Sequence, residues 1–188
     1  MSDLLTHTDA EFSPGGLYRY KLVRAWSAGP AILWLMLNPS TADADINDPT
    51  VERCYRRALA GGYGCMWVGN LFALRSADPG QLYHGGDPVG PRNDAAIEEM
   101  ARASQRIVCA WGEHGAYLGR DRVVLQHLHC LGIAPHCLRL TAGGNPGHPL
   151  YVPYDVEPAP WPGYENKLIP EAASETARPS QRNLGTPT

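Results

Sequence analysis

The 188-residue sequence lacks the features that mark several specialised classes of protein. Its longest wholly apolar run, residues 31–37, is far shorter than the roughly 18 residues that suggest a membrane-spanning helix. No basic segment followed by an apolar one opens the chain, so no secretion signal is predicted. A formal net charge of −3 gives no overall basic field that would attract nucleic acid indiscriminately. We therefore expect a cytoplasmic protein that does not associate with membranes.

The chain also lacks cysteine motifs and has little lysine. The five cysteines form no C-x-x-C pair and no Cys/His cluster with zinc-like spacing, so we expect reduced thiols and no disulfide. Only Lys21 and Lys167 are lysines, and all the other basic residues are arginines. Arginine suits flat, bidentate contacts with phosphate, although the codon usage of a GC-rich genome would produce the same bias.

Familiar catalytic motifs are missing as well. The chain has no G-x-S-x-G elbow, glycine-rich phosphate loop or G-x-G-x-x-G between a predicted strand and a helix. No cysteine stands at a predicted strand end beside a histidine, which argues against a cysteine nucleophile. The sequence therefore predicts a site built from other residue types.

The composition, 44% hydrophobic and 19% charged, is typical of one soluble globular domain. Apolar patterning predicts strands at 17–26, 31–37, 64–72, 106–111 and 133–140, the first two forming a hairpin. Helices are predicted at 91–103, at 120–131 and after Asp48, which is the expected N-cap of a helix that ends at Gly61.

The order β-β-α-β-α-β-α-β predicts an α/β fold with a three-layer α/β/α arrangement. Its central sheet is expected to be mostly parallel, with about four strands and one N-terminal antiparallel strand. We expect residues 15–165 to form the single domain. Residues 1–14 are interpreted as a flexible leader and residues 166–188 as a disordered polar tail.

Polar or glycine residues end each predicted parallel strand. Asn38 comes after the first, Asn70 lies near the end of the second, Trp111 and the segment GEH at 112–114 end the third, and His148 lies in the loop after the fourth. Each residue alone fits an ordinary turn or core position. Because ligands bind beyond the carboxyl ends of parallel strands, their joint placement predicts a site at one edge of the sheet.

Five segments resemble the signature of an uncharacterised bacterial and phage family, a domain of unknown function. They are MLNPSTAD at 36–43, DPT at 48–50, NLFA at 70–73, WG at 111–112 and HPLY at 148–151. The resemblance covers about residues 17–155.

A more distant resemblance is to the uracil-DNA glycosylase superfamily, in which an Asn-Pro or Asp-Pro loop follows the first strand and a His-Pro loop comes late. It implies a glycosylase-like fold in which Asn38 positions a water, Asn70 reads the polar edge of the base and His148 stabilises the departing base. The chain differs from that pattern at Leu37, where the superfamily has glycine, and at Leu150, where it has serine.

The leading hypothesis is an enzyme that cleaves the N-glycosidic bond of a flipped-out base. It needs no metal and no cofactor, and its partner is a nucleic acid or nucleotide held in a local cleft. The candidate catalytic residues are Asn38, Asp43 and His148. The candidate substrate-binding residues are Pro39, Ser40, Asn70, Phe72 and Trp111, with Arg75, Arg92 and Arg120 for phosphates.

Two alternatives remain open on the sequence. Asp43, Asp45 and Asp48 are suitable ligands for a hard divalent ion, which would indicate a phosphoryl or pyrophosphate enzyme active in base modification. The departures from the glycosylase pattern would equally fit a non-catalytic module that binds a nucleobase or nucleic acid.

Overall fold

A computed structural model describes residues 7–40, 42, 46–84 and 86–168. Within these residues the chain has a mixed α/β fold with three α-helices and one seven-stranded sheet. The strands are β1 (His7–Phe12), β2 (Arg19–Ala25), β3 (Ala31–Met36), β4 (Cys65–Asn70), β5 (Arg106–Cys109), β6 (His136–Cys137) and β7 (Ala159–Pro160). The helices are α1 (Pro49–Ala60), α2 (Asn93–Arg102) and α3 (Arg120–Cys130). The α/β class predicted from the sequence is confirmed.

The sheet has the strand order β1-β2-β4-β3-β5-β6-β7. Its centre is parallel, since β3 pairs with β4 and β5 and β5 pairs with β6, all in the same direction. The predicted hairpin between β2 and β3 is wrong, because β2 pairs antiparallel with β4. β3 is apolar on both faces and is bordered on both edges by parallel strands, so it occupies the centre of the sheet.

The ends of the sheet differ most from the prediction. Residues 7–12, within the expected flexible leader, form β1 and pair antiparallel with β2. The fourth parallel strand is only His136–Cys137 rather than 133–140, and it pairs with the short strand β7. Lys167, at the start of the expected tail, donates a hydrogen bond to Asn145 Oδ1 at 2.8 Å. Residues 1–6 and 169–188 lie outside the described residues.

The predicted capping of α1 is confirmed. Asp48 Oδ1 accepts hydrogen bonds from the backbone N–H groups of Thr50 at 2.9 Å and Val51 at 2.8 Å. Pro49 occupies the first helical position, where a missing N–H costs nothing. The helix ends at Ala60, and Gly61 is its C-cap. Val51, Cys54, Tyr55 and Ala58 are spaced so that they lie on one face of the helix, and all four are buried.

Two apolar clusters form the core. One combines side chains of α2 and α3 with Leu33 and Leu35, and the other combines side chains of α1 with Ile32 and Trp34. Alternate residues of β3 therefore contribute to different clusters, as the two-residue period of a strand requires. A Cβ at Gly69 in β4 would lie 2.7 Å from Met100 Cε, so the end of the Met100 side chain from α2 packs directly on the β4 backbone.

All five cysteines are free thiols. Among the helices in the described part of the chain, none combines the length and the apolar character needed to cross a lipid bilayer.

Candidate functional site

A cavity of about 590 Å³ lies at the carboxyl ends of β3 and β5. Its wall comes from β2, the segments that follow β3, β4, β5 and β6, and the first turn of α1. The polar and aromatic lining residues are Arg19, Asn38, Ser40, Asp48, Thr50, Ser76, Trp111, Glu113, His114, Arg139, Thr141, His148 and Tyr151. This size lies within the usual range of pockets for small molecules.

Asn38 is held in a fixed orientation at this wall. Its Nδ2 donates to the backbone carbonyl of Ser76 at 2.8 Å and to that of Pro39 at 3.2 Å. Pro39 itself is buried and accepts a hydrogen bond from Ser76 N at 2.9 Å; it is not among the lining residues. With Nδ2 engaged, the Asn38 Oδ1 is an oriented hydrogen-bond acceptor at the cavity wall.

His148 lines the cavity at the start of the short 3-10 helix Pro149–Tyr151. Its Nδ1 accepts the backbone N–H of Leu150 at 3.4 Å, so the neutral ring carries its proton on Nε2. Burial lowers the pKa of His148, and the Asp48 carboxylate opposes this only in part. At neutral pH the ring is therefore a neutral hydrogen-bond donor through Nε2.

The turn that carries His148 is attached to α1 by Arg57, which is buried. Its guanidinium donates to the carbonyls of Val152 at 2.8 Å, Pro153 at 2.6 Å and Val156 at 2.6 Å, with a longer contact of 3.4 Å to Tyr154. A planar group with five donors suits such a cluster of carbonyls. Arg57 thus fixes the segment that follows His148 against the helix.

Trp111 and Ser40 lie on the cavity wall, as the sequence predicted for a substrate-binding role. The Trp111 side chain is almost fully buried and packs edge-on against Trp161, with ring centroids 5.8 Å apart. A Cβ on Gly115 would lie 2.1 Å from Trp111 Cδ1, so a glycine at that position is required for this packing. Trp111 therefore forms a rigid apolar part of the wall.

Asn70 is not among the lining residues, contrary to our expectation. It is 1% exposed, and neither polar atom of its side chain has a hydrogen-bond partner among the described residues. The register pairs Asn70 with Met36, which does line the cavity. Asn70 is therefore next to the wall but separated from the open space.

Phe72 and Arg120 are also placed away from the cavity lining. Phe72 is fully buried in the core, 5.9 Å from the Tyr117 ring between centroids. Arg120 is 4% exposed; its Nε donates to the carbonyl of Leu71 at 2.8 Å and its Nη2 pairs with Asp94. Arg120 accordingly holds the end of β4, and a phosphate would have to displace these contacts.

Arg75 and Arg92 are exposed, but neither lines the cavity. Arg75 donates to the carbonyl of Gly16 at 3.1 Å and lies over the ring of Phe12. Arg92 forms an ion pair with Glu11 at 3.0 Å. The phosphate-binding role predicted for these arginines gains no support from their positions.

The predicted acidic loop is only partly described. Asp43 and Asp45 lie outside the described residues, and Asp48 is the N-cap of α1. Among the residues that the structure does describe, no group of three or more His, Cys, Asp or Glu side chains is arranged to hold a metal ion.

Four charged or titratable lining residues were not among the candidate site residues predicted from the sequence: Arg19, Glu113, His114 and Arg139. Glu113 and His114 follow Trp111 and Gly112 at a predicted strand end, within a segment that the sequence already placed at the expected edge of the sheet. Arg19 lies at the start of β2 and reaches the cavity only because β2 pairs beside β4, with its Nη1 donating to the carbonyl of Ala42 at 2.5 Å.

Comparison with known proteins identifies one family. The model of a family described as "Protein of unknown function (DUF1643)" matches residues 19–150, so the chain belongs to that family. Neither a curated protein nor a solved structure matches the chain.

Proposed function

We propose that this member of the DUF1643 family hydrolyses the N-glycosidic bond of a nucleobase-containing substrate, with the base inserted into the cavity at the carboxyl edge of the sheet. The observation that carries the proposal is that Asn38 and His148, which come from loops more than 100 residues apart in the sequence, line one cavity. The proposal includes the glycosylase-like arrangement that we expect from the sequence, in which helices cover both faces of the central sheet in three layers.

The reaction needs two polar groups on opposite sides of the bond. The C1′–N bond breaks and its electron pair goes to the base, while the oxygen of a water forms the new bond to C1′ and the water's proton ends on the base. The sugar passes through a state with oxocarbenium character, and the base gains negative charge. Catalysis therefore requires a positioned water and a hydrogen-bond donor to the base.

Asn38 and His148 have the matching chemistry. The oriented Oδ1 of Asn38 is suited to accept a hydrogen bond from the attacking water. The neutral His148 ring, with its proton on Nε2, is suited to donate to the departing base. Asp43, which lies outside the described residues, stays the sequence-based candidate for activating the water.

The charges of the lining support a nucleoside unit rather than a bound polyphosphate. The cavity lining contains two arginines, Arg19 and Arg139, and two carboxylates, Asp48 and Glu113, so its positive and negative charges balance. A nucleotide flipped out of a nucleic acid would bring its base into such a balanced cavity and leave its phosphates at the mouth. Arg139, which is exposed, is our candidate for the phosphate contact.

The test compares base release by matched variants on a panel of oligonucleotides and nucleosides that carry normal and modified bases. We expect Asn38→Ala and His148→Ala to lower the release rate by about 100-fold or more while the melting temperature changes little. Asn166→Ala and His127→Ala replace the same residue types at exposed positions outside the cavity and serve as controls.

Two results would count against the proposal. Base binding without release, even at high protein concentration, would indicate a binding module. A large loss of stability in both cavity variants, with controls unaffected, would show that Asn38 and His148 serve the structure of their loops instead.

A further inference from the structure

Tyr151 places an exposed aromatic ring at the wall of the cavity. The residue is 71% exposed, more than any other large apolar side chain in the part of the chain that the structure describes. Its ring lies beside that of His148, with centroids 5.7 Å apart, and most of its surface is still open to solvent. Tyr151 therefore offers an uncovered aromatic face next to one of the two residues assigned to the reaction.

The exposed ring is carried by a fixed backbone. The N–H of Tyr151 donates to the carbonyl of His148 at 3.2 Å and closes the short 3-10 helix. Arg57 binds the carbonyls of Val152 and Pro153 directly after it. A tyrosine on a fixed backbone has only two side-chain torsions to immobilise, so it contributes contact area at a low entropic cost.

Further exposed apolar surface lies in other segments at the cavity. Tyr83, in the segment after β4, is 43% exposed; its hydroxyl is 2.7 Å from Nδ1 of the lining residue His114, and its ring packs edge-on against Tyr117. Leu140 lies between two lining residues and is also exposed. Exposed apolar side chains gathered around a cavity mark a surface that binds a partner.

The charges around Tyr151 do not suit a DNA duplex. Proteins that bind a duplex neutralise several phosphates at once, but the charges of the cavity lining balance and the chain has a net charge of −3. The two arginines that contact the residues after Tyr151 are engaged with backbone carbonyls: Arg53 with Val152 at 2.9 Å, and Arg57 with several. The surface next to the cavity is therefore better equipped for stacking than for phosphate contacts.

We propose that the substrate is a single-stranded nucleic acid, and that an unpaired base adjoining the one in the cavity stacks on the ring of Tyr151. This inference rests on the proposed function. In a duplex the faces of the adjoining bases are covered by their neighbours, whereas an unpaired base has an open face that any aromatic ring can cover. A base that is already unpaired also costs less to insert into a cavity. A single strand thus gains a contact that neither a duplex nor a free nucleoside can make.

The test measures binding by fluorescence anisotropy. The probes are a labelled DNA strand of mixed sequence, the RNA strand of the same sequence and the DNA duplex. We expect at least one of the single strands to bind roughly 10-fold or more tightly than the duplex, with a shallow salt dependence because few phosphates are contacted.

Variants of Tyr151 separate stacking from other roles. Tyr151→Ala is expected to weaken single-strand binding by roughly 5-fold to 100-fold, the effect of losing one stacked base, whereas Tyr151→Phe keeps the ring and should bind nearly as the unmodified protein does. Leu17→Ala shortens an exposed apolar side chain outside the cavity and serves as the control.

The outcomes separate this inference from the proposed function. Duplex binding as tight as single-strand binding, or unchanged affinity of Tyr151→Ala, overturns the inference; if bases are still released, the glycosidic hydrolysis stands. Equal losses in Tyr151→Ala and Tyr151→Phe would show that the hydroxyl binds the strand, and stacking would be wrong. Strand binding that depends on the Tyr151 ring without base release supports the inference and refutes the hydrolysis. The ratio of single-strand to duplex affinity in the unmodified protein is decisive even if a Tyr151 variant is unstable.

Discussion

Replacing Arg57 with methionine tests whether the turn that carries His148 is held in place from α1. Methionine keeps an unbranched side chain in the buried position but removes every donor to the carbonyls of Val152, Pro153, Tyr154 and Val156. A hydrogen bond from a charged group contributes about 1.5 to 3 kcal/mol net. The four contacts share one guanidinium, so their contributions do not add independently.

Water reduces the loss further, since Pro153 and Tyr154 are exposed and their carbonyls can be rehydrated. We expect the free energy of unfolding to fall by about 2 to 4 kcal/mol. For a domain of this size that corresponds to a decrease in melting temperature of roughly 5 to 15 °C. Urea denaturation and calorimetry measure the two quantities directly.

The neighbouring Arg56 provides a matched control. It is exposed and pairs with Glu52 four residues earlier, at 2.7 Å. We expect Arg56→Met to leave the melting temperature nearly unchanged, because an ion pair this exposed to water contributes little to stability. The proposed role also predicts slower base release by Arg57→Met below its melting temperature, because His148 loses its fixed orientation. If the two variants are equally stable, or if Arg57→Met is destabilised with unchanged release, Arg57 does not position the His148 turn.

Two further substitutions test local features of the same region. Asp48→Ala removes the acceptor for the N–H groups of Thr50 and Val51 and is expected to cost about 0.5 to 2 kcal/mol in urea denaturation, whereas Asp48→Asn, which keeps an acceptor, should cost much less. His148 has its pKa lowered by burial, so on acidification the unfolded chain takes up a proton before the folded one does. Stability should therefore fall as pH decreases from about 7 to about 5, and His148→Asn should flatten that dependence; an unchanged slope would refute the assignment.

The local signals in the sequence were sufficient for several elements. Asp48 and Pro49 correctly marked the start of α1, because capping depends only on residues within one turn. The apolar run at 31–37 correctly predicted a central strand, because an apolar run this short that follows a Gly-Pro turn is typical of a strand covered on both faces. Asn38, which follows β3, and His148, in the segment that follows β6, both line the cavity, as their sequence positions predicted.

Other features depended on pairing and packing that no short segment encodes. The partner of β2 is β4, and this pairing brings Arg19 to the cavity. Asn70 was expected at the site from its position at a strand end, but it is buried beside Met36 and separated from the open cavity. Arg120 lies in the first turn of an amphipathic helix, and only the packing of α2 against α3 shows that it is buried.

The most direct test of the central claim is mass spectrometry of oligonucleotides and nucleosides after incubation with the protein under single-turnover conditions. We expect a free base together with an abasic strand or free sugar, and we expect Asn38→Ala and His148→Ala to suppress both products. An unchanged substrate across the whole base panel, or cleavage of a phosphodiester bond in place of the glycosidic bond, would contradict it.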